Sequence, residues 1–407
     1  MALDLAAIYR DLHAHPELSH QEHRTAGIAA EGLERLGYAV TRGIGGTGVV
    51  GVLENGDGPV VLLRADMDAL PVEEATGLPY ASTARGVDPD GHDVPVMHAC
   101  GHDVHVTCLL GAAERLAERR GEWSGTLVAL FQPADEYGAG AQVMVDDGLY
   151  AKVPTPDVVL GQHVAPLPAG MIGLRPGVAM AAADALEVHL HGVGGHGSRP
   201  ETTVDAVYLA ASTVVRLQGV VAREVAAGDA AVVTVGRMQA GTKSNIIPAE
   251  ASLGLSIRSF DPVVRERVLA AVERIVRAEA AASGAPREPE IVHAESYPLT
   301  VNDAEATERV ARALGAAFGE GALFDPGAVS GSEDVGMLAT AAGAPLVYWF
   351  LGGADPALFT HGLESGHLPD DLPSNHSPFF APVIEPTLGR GVEALEAAAL
   401  EWLAPAS

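Results

Sequence analysis

The sequence predicts an α/β protein: a mixed, mostly parallel sheet flanked by helices and interrupted by a smaller α+β domain. Three observations carry that expectation. Pro59 to Ala65, Thr126 to Gln132 and Asp157 to Gly161 are predominantly apolar runs bounded by turns, the pattern of strands buried on both faces. Val104 to Arg120, between the first two, is rich in Ala and Leu and reads as a helix. From about Ala183 the texture changes to strands with partial alternation, and 407 residues exceed one ordinary core.

Taken in order, the chain opens with two helices. Leu5, Ile8, Tyr9 and Leu12 share one face of the first; Ser19-His20-Gln21-Glu22 reads as a capping box for the second, which stops at Gly37. His13, His15, His20 and His23 read as a solvated helix-turn-helix corner rather than a metal site. The three apolar runs end in Asp66-Met67-Asp68, in Asp135-Glu136 and in Gln162-His163. Next come a strand Ala185 to Leu190, a helix Val204 to Val220, strands Ala231 to Gly236 and Leu253 to Arg258, and a helix capped by Asp261-Pro262 that runs to about Ala282. This β-α-β-β-α order predicts an inserted α+β domain over 183–294. Residues 1–182 and 295–407 form the discontinuous remainder, with a helix from Asn302-Asp303, a buried strand Leu346 to Leu351 and a closing helix after His376.

Composition excludes several functions. Apolar residues make up 48% and charged residues 19%, as in a folded protein, and the net charge of -28 repels nucleic acid and anionic membranes. Cys100 and Cys108 are too few for a disulfide scaffold. With no leader-like opening and no apolar run of membrane-spanning length, the expectation is a soluble cytoplasmic protein.

The chemistry concentrates in His98-Ala99-Cys100-Gly101-His102-Asp103-Val104-His105. Cys, His and carboxylate groups are the donors of divalent metals. Cys100 and His102 flank a glycine, so both side chains are able to converge at a helix N-terminus that favours a thiolate. Three strands delivering carboxylate or imidazole at their C-terminal ends, where open α/β sheets bind ligands, strengthen the metal reading.

These motifs identify a resemblance. HAHPELSHQE (13–22), RADMDALPV (64–72), HACGHDVH (98–105), FQPADEYGAGA (131–141), GQHV (161–164), GGHGSRP (194–200), SNIIPAE (244–250), SGSEDV (330–335) and NHSPFF (375–380) follow one another as in bacterial and plant N-acyl-amino-acid amidohydrolases. That family includes hippurate hydrolases, auxin-conjugate hydrolases and aminoacylases, and belongs with two-metal aminoacylases and carboxypeptidases. The resemblance implies that Cys100, His102, Glu136, His163 and His376 hold two divalent ions, zinc or manganese. It implies that Asp135 is the general base and that His196 stabilises the oxyanion in the neighbouring subunit of a homodimer. Asn245 and Arg258 would hold the substrate carboxylate, and the inserted domain would be the lid and dimerisation domain. Asp68 is read as an orienter of a ligand. One departure stands out: the family carries two adjacent glutamates where this chain has Asp135-Glu136, which withdraws the base by roughly one bond length.

The expected reaction is cleavage of an N-acyl-L-amino acid to a carboxylic acid and a free amino acid. The alternatives are a dipeptidase or carboxypeptidase using the same site, and a catalytically weak ligand-binding relative, for which Asp135 is the motive.

Overall fold

The computed structural model describes residues 3–359 and 372–405. It divides into two compact units: Met1–Ala179 with Val301–Gly327 and Asp334–Ser407, and Met180–Thr300 with Ala328–Glu333.

The first unit opens with α1 (Leu5–Ala14) and α2 (His23–Arg35). The strands β1 (Ala39–Ile44), β2 (Gly48–Asn55) and β3 (Val60–Asp66) follow, then α3 (His102–Glu118), β4 (Trp123–Gln132) and β5 (Val158–Pro168). The sheet order is β1-β2-β4-β3-β5, continued beyond β5 by the strand Leu346–Ala354. Pairing is parallel across β4-β3-β5 and on to Leu346–Ala354, and antiparallel at β1-β2-β4. The mixed, mainly parallel sheet expected from the apolar runs is present.

Burial explains the central strands. Val61, Leu62 and Leu63 of β3 are fully buried because both neighbours are paired and helices cover the faces. Each such side chain contributes about 1.5–3 kcal/mol by leaving water. Helix α3 packs against β3 and against the closing helix Ile384–Trp402, with Leu109, Leu110, Val392 and Leu395 in the shared core. Parallel pairing brings the C-terminal ends of β3 and β4 side by side, with Asp66 opposite Gln132. The third strand differs from expectation: β5 does not end at His163 but runs on to Pro168, because Leu346–Ala354 pairs along its length with Phe350 opposite His163.

The second unit is a β-α-β-β-α-β module: β6 (Ala182–His191), α4 (Ala206–Leu217), β7 (Ala231–Ala240), β8 (Glu250–Ser259), α5 (Pro262–Ala282) and β9 (Glu290–Tyr297). All neighbours in its sheet, ordered β7-β8-β6-β9, are antiparallel. Asp261 accepts the amides of Val263 and Val264, with Pro262 in the first turn, so α5 starts where the sequence placed it. Its core joins Leu186, Val188, Leu253, Leu255 and Ile257 to Val268 and Val272 of α5. Strand β9, which the texture did not reveal, closes the sheet and carries the unit past residue 294. Among the described residues, no helix is long and apolar enough to cross a membrane.

Candidate metal centre

The centre is built at the mouth of the parallel strands. Gly101 takes φ +82°, and a Cβ there would lie 2.3 Å from Val164 Cγ1. Only glycine fits between Cys100 and His102 at that close approach. Helix α3 starts at His102, immediately after it. The second approach is the turn after β4, where Ala134 adopts φ 51° before Asp135 and Glu136. The third is His376, at φ 71°, whose amide donates to the Ala99 carbonyl at 2.8 Å. Left-handed backbone at non-glycine residues is costly, by about 1–3 kcal/mol each, and here one such residue is the proposed ligand His376 and another, Ala134, directly precedes Asp135.

Five separated residues converge. The ligating atoms of Cys100, His102 and His163 lie within 4.8 Å of one another, and so do those of Cys100, Glu136 and His376. Cys100 belongs to both triplets. Its Sγ is 3.5 Å from His163 Nε2, while Glu136 Oε1 is 3.7 Å from His102 Nε2 and 3.4 Å from His376 Nε2. His102 Nε2 and Glu136 Oε1 are buried atoms without a hydrogen-bond partner. Buried polar atoms are costly unless satisfied, so an imidazole nitrogen and a carboxylate oxygen facing one space fit a cation.

The outer contacts orient these groups. His163 Nδ1 lies 2.8 Å from the Val164 carbonyl and donates to it, which leaves Nε2 as the lone-pair nitrogen. Burial and the neighbouring His105 hold His163 well below the usual histidine range, so it is neutral at pH 7. Asp68 Oδ1 is 3.2 Å from His102 Nδ1, the contact expected of an orienting carboxylate. Burial works against a charged His102, but Asp66 and Asp68 override it and hold its pKa well above the usual value. The field that keeps a proton there also attracts a metal cation. Burial and Glu136 push the Cys100 thiol up, so ionisation needs a nearby positive charge.

Several contributors escaped sequence reasoning. Arg64, fully buried on β3, donates to Asp66 at 2.6 Å, Asp135 at 2.8 Å, Asp334 at 3.3 Å and the Gln132 side chain at 2.9 Å. Asp135, the candidate base, is thus held by a guanidinium. Asn375 Nδ2 donates to the carbonyls of Cys100 and Val164, both at 3.2 Å, and ties the His376 segment to the loop that precedes α3 and to β5. Ser19 and Glu22 are not a capping box. Ser19 donates to Asp68 at 2.6 Å, and the Glu22 side chain makes no cap hydrogen bond. The histidine corner is not wholly solvated either: His15 and His23 are exposed, but His13 is buried, with Asp103 at 2.6 Å and Glu74 at 3.2 Å.

The second unit holds the other three expected residues. His196 lies in a short ladder opposite Ile246, and Asn245 precedes that ladder, its carbonyl accepting the Gly197 amide at 2.9 Å. His196 is exposed, and its Nδ1 accepts the Ser198 hydroxyl at 2.8 Å. Arg258, on β8, donates to Ser332 at 2.6 Å. The ladder does not include Arg258.

Residues 62–400 match Peptidase family M20/M25/M40. The chain belongs to that family. As an M20 member it is a hydrolase of amide bonds. It is 39% identical to the hippurate hydrolase of Campylobacter jejuni over 333 residues, covering 81% of this chain and 83% of that protein. It is 37% identical over 350 residues to thermostable carboxypeptidase 2 of Saccharolobus solfataricus, covering 85% and 84%. Among solved structures, the YXEP protein of Bacillus subtilis, described as a dinuclear metal binding peptidase from the M20 family, superposes with a TM-score of 0.75 at 29% identity, covering 97% of this chain and 96% of that one.

Proposed function

We propose that this M20 protein is a metal-dependent amidohydrolase that cleaves N-acyl-L-amino acids, with Cys100, His102, Glu136, His163 and His376 holding two divalent ions. The observation that carries the reading is the pair of ligand triplets sharing Cys100. The dinuclear description of the YXEP protein supports two ions, and the hippurate hydrolase relative supports an N-acyl amino acid substrate. The Cys and His donors favour zinc, while the carboxylate and imidazoles also suit manganese. Bound there, the ions would polarise the scissile carbonyl and acidify water.

The remaining work falls to the chain. Asp135, held by Arg64, takes the proton of the attacking water and returns it to the leaving nitrogen. His196 donates to the developing oxyanion from the partner subunit. Asn245 and Arg258 hold the substrate carboxylate, for which a guanidinium fork suits a planar anion. A homodimer through the inserted unit is supported by β7, a ten-residue edge strand with exposed Val232 and Met238 and neither proline nor lysine. Tyr208 and Val215 add an exposed apolar stripe on α4, which packs against β7.

The carboxypeptidase relative favours a second reading, release of a C-terminal residue at the same centre. A panel of N-acyl amino acids and dipeptides on metal-reconstituted protein tests both. Turnover confined to dipeptides would reject the first reading, and no turnover with tight substrate binding would point to a binding protein.

A further inference from the structure

We propose that Glu22 is a positioning residue, whose buried carboxylate sets the turn that presents Asp135 and Glu136 to the centre. The inference rests on the proposed function for the roles of those two residues, and on geometry for everything else.

Glu22 is fully buried, and among the described residues its hydrogen-bond partners are two backbone amides and a hydroxyl rather than a cation. Its Oε1 accepts the amides of His20 at 2.8 Å and Ala134 at 2.9 Å; its Oε2 accepts the Thr47 hydroxyl at 2.5 Å. His20 (φ 63°) and Ala134 (φ 51°) are two of the three described non-glycine residues with left-handed backbone. One carboxylate oxygen therefore satisfies both strained amides, in segments over a hundred residues apart. A carboxylate buried without a counter-ion is expensive unless such donors compensate it.

The turn shows what the bond controls. The amides of Ala134, Asp135 and Glu136 point successively to carboxylates: the first to Glu22, the next two to Asp68 at 3.2 and 3.1 Å. Asp68 also faces His102, so it aligns the turn with a ligand. Glu22 fixes the turn's entry, and Thr47 anchors Glu22 from the β1–β2 connection. Without Glu22, the Ala134 amide is buried and unpaired, and relaxation of its φ would rotate the two carboxylates that follow. Outer partners of metal ligands typically change affinity by roughly 10- to 100-fold when removed.

Three readouts on purified protein test this. Glu22→Ala should raise hydrogen exchange at the amides of residues 134–136 by at least about tenfold. It should weaken zinc or manganese binding, read by calorimetry, by roughly 10- to 100-fold, and lower kcat more than it raises KM. Glu22→Gln keeps an oxygen for both amides and a group for Thr47, so it should restore exchange and metal affinity to near wild type. A merely structural residue would lower thermal stability in Glu22→Ala and leave metal affinity and exchange in this turn unchanged; that result overturns the proposal. Failure of Glu22→Gln to restore either readout also overturns it. If Glu22→Ala does not fold, Glu22→Asp decides, since its shorter carboxylate cannot span both amides: unchanged exchange and metal affinity reject the idea. Wild-type protein inactive on every acyl amino acid would reject the proposed function, while amide exchange would still decide the role of Glu22.

Discussion

At the scale of single residues, Asp135 carries the sharpest question. Its carboxylate is fixed by Arg64 2.8 Å away, next in sequence to the proposed ligand Glu136. A general base contributes about 10²–10⁴-fold to rate. Asp135→Asn should lose activity within that range while bound metal, measured by elemental analysis, stays constant; Asp135→Glu should turn over at least as fast as wild type. His13 makes a second prediction. Burial lowers its pKa, but Asp103 and Glu74 override that and raise it to about 10. The charged form is thus favoured in the fold, and its stabilisation is complete below about pH 6.5 and lost as pH rises toward 10. The urea midpoint of wild type should exceed that of His13→Gln most at pH 6, with the gap closing steadily up to pH 10.

At the scale of elements, α3 is placed by its first contact with the sheet. Gly101 lets the backbone turn left-handed between Cys100 and His102 while Val164 of β5 presses on it. Gly101→Ala should therefore cost about 1–3 kcal/mol in chemical denaturation and weaken metal binding, because either α3 or β5 must shift. A metal titration with wild-type affinity would show that the ligands tolerate the shift. The same logic explains why β5 continues past His163: pairing with Leu346–Ala354 holds that imidazole in a rigid strand rather than a loop.

Across the whole molecule, the predictions concern ions and subunits. Chelation should abolish activity and lower the thermal midpoint, since a ligand that binds only the folded state stabilises it by mass action. Re-addition should bring back close to two ions per chain. Because Cys100 is protonated until a cation arrives, metal binding should release protons and weaken as pH falls, which calorimetry in buffers of different ionisation heat reads directly. If His196 acts in trans, His196→Ala and Glu136→Ala proteins should each be inactive, and mixed dimers should regain activity at one site. Inactive mixed dimers that are verified and metal-loaded would exclude action across the interface.

Local pattern determined the strands, most helices and the residue types gathered at the centre. Apolar runs over 59–65 and 126–132 report burial on both faces, and Cys, His and Glu at strand and helix ends are chemically conspicuous wherever they occur. Strand β9 was not legible, because five of its eight residues are exposed and polar or small. Tertiary structure alone decided the partners. Ser19 and Glu22 look like helix caps because their spacing is that of a capping box, yet their side chains turn to Asp68, Thr47 and Ala134. His13 looks solvated because it belongs to a histidine-rich corner between two helices, yet Asp103 lies against it in the core. Arg64, inside an apolar run, meets Asp334 from 270 residues away. Periodicity records which face of an element is dry, and so it is written locally. Which donor satisfies a buried charge depends on the closure of long loops, and no local pattern encodes it.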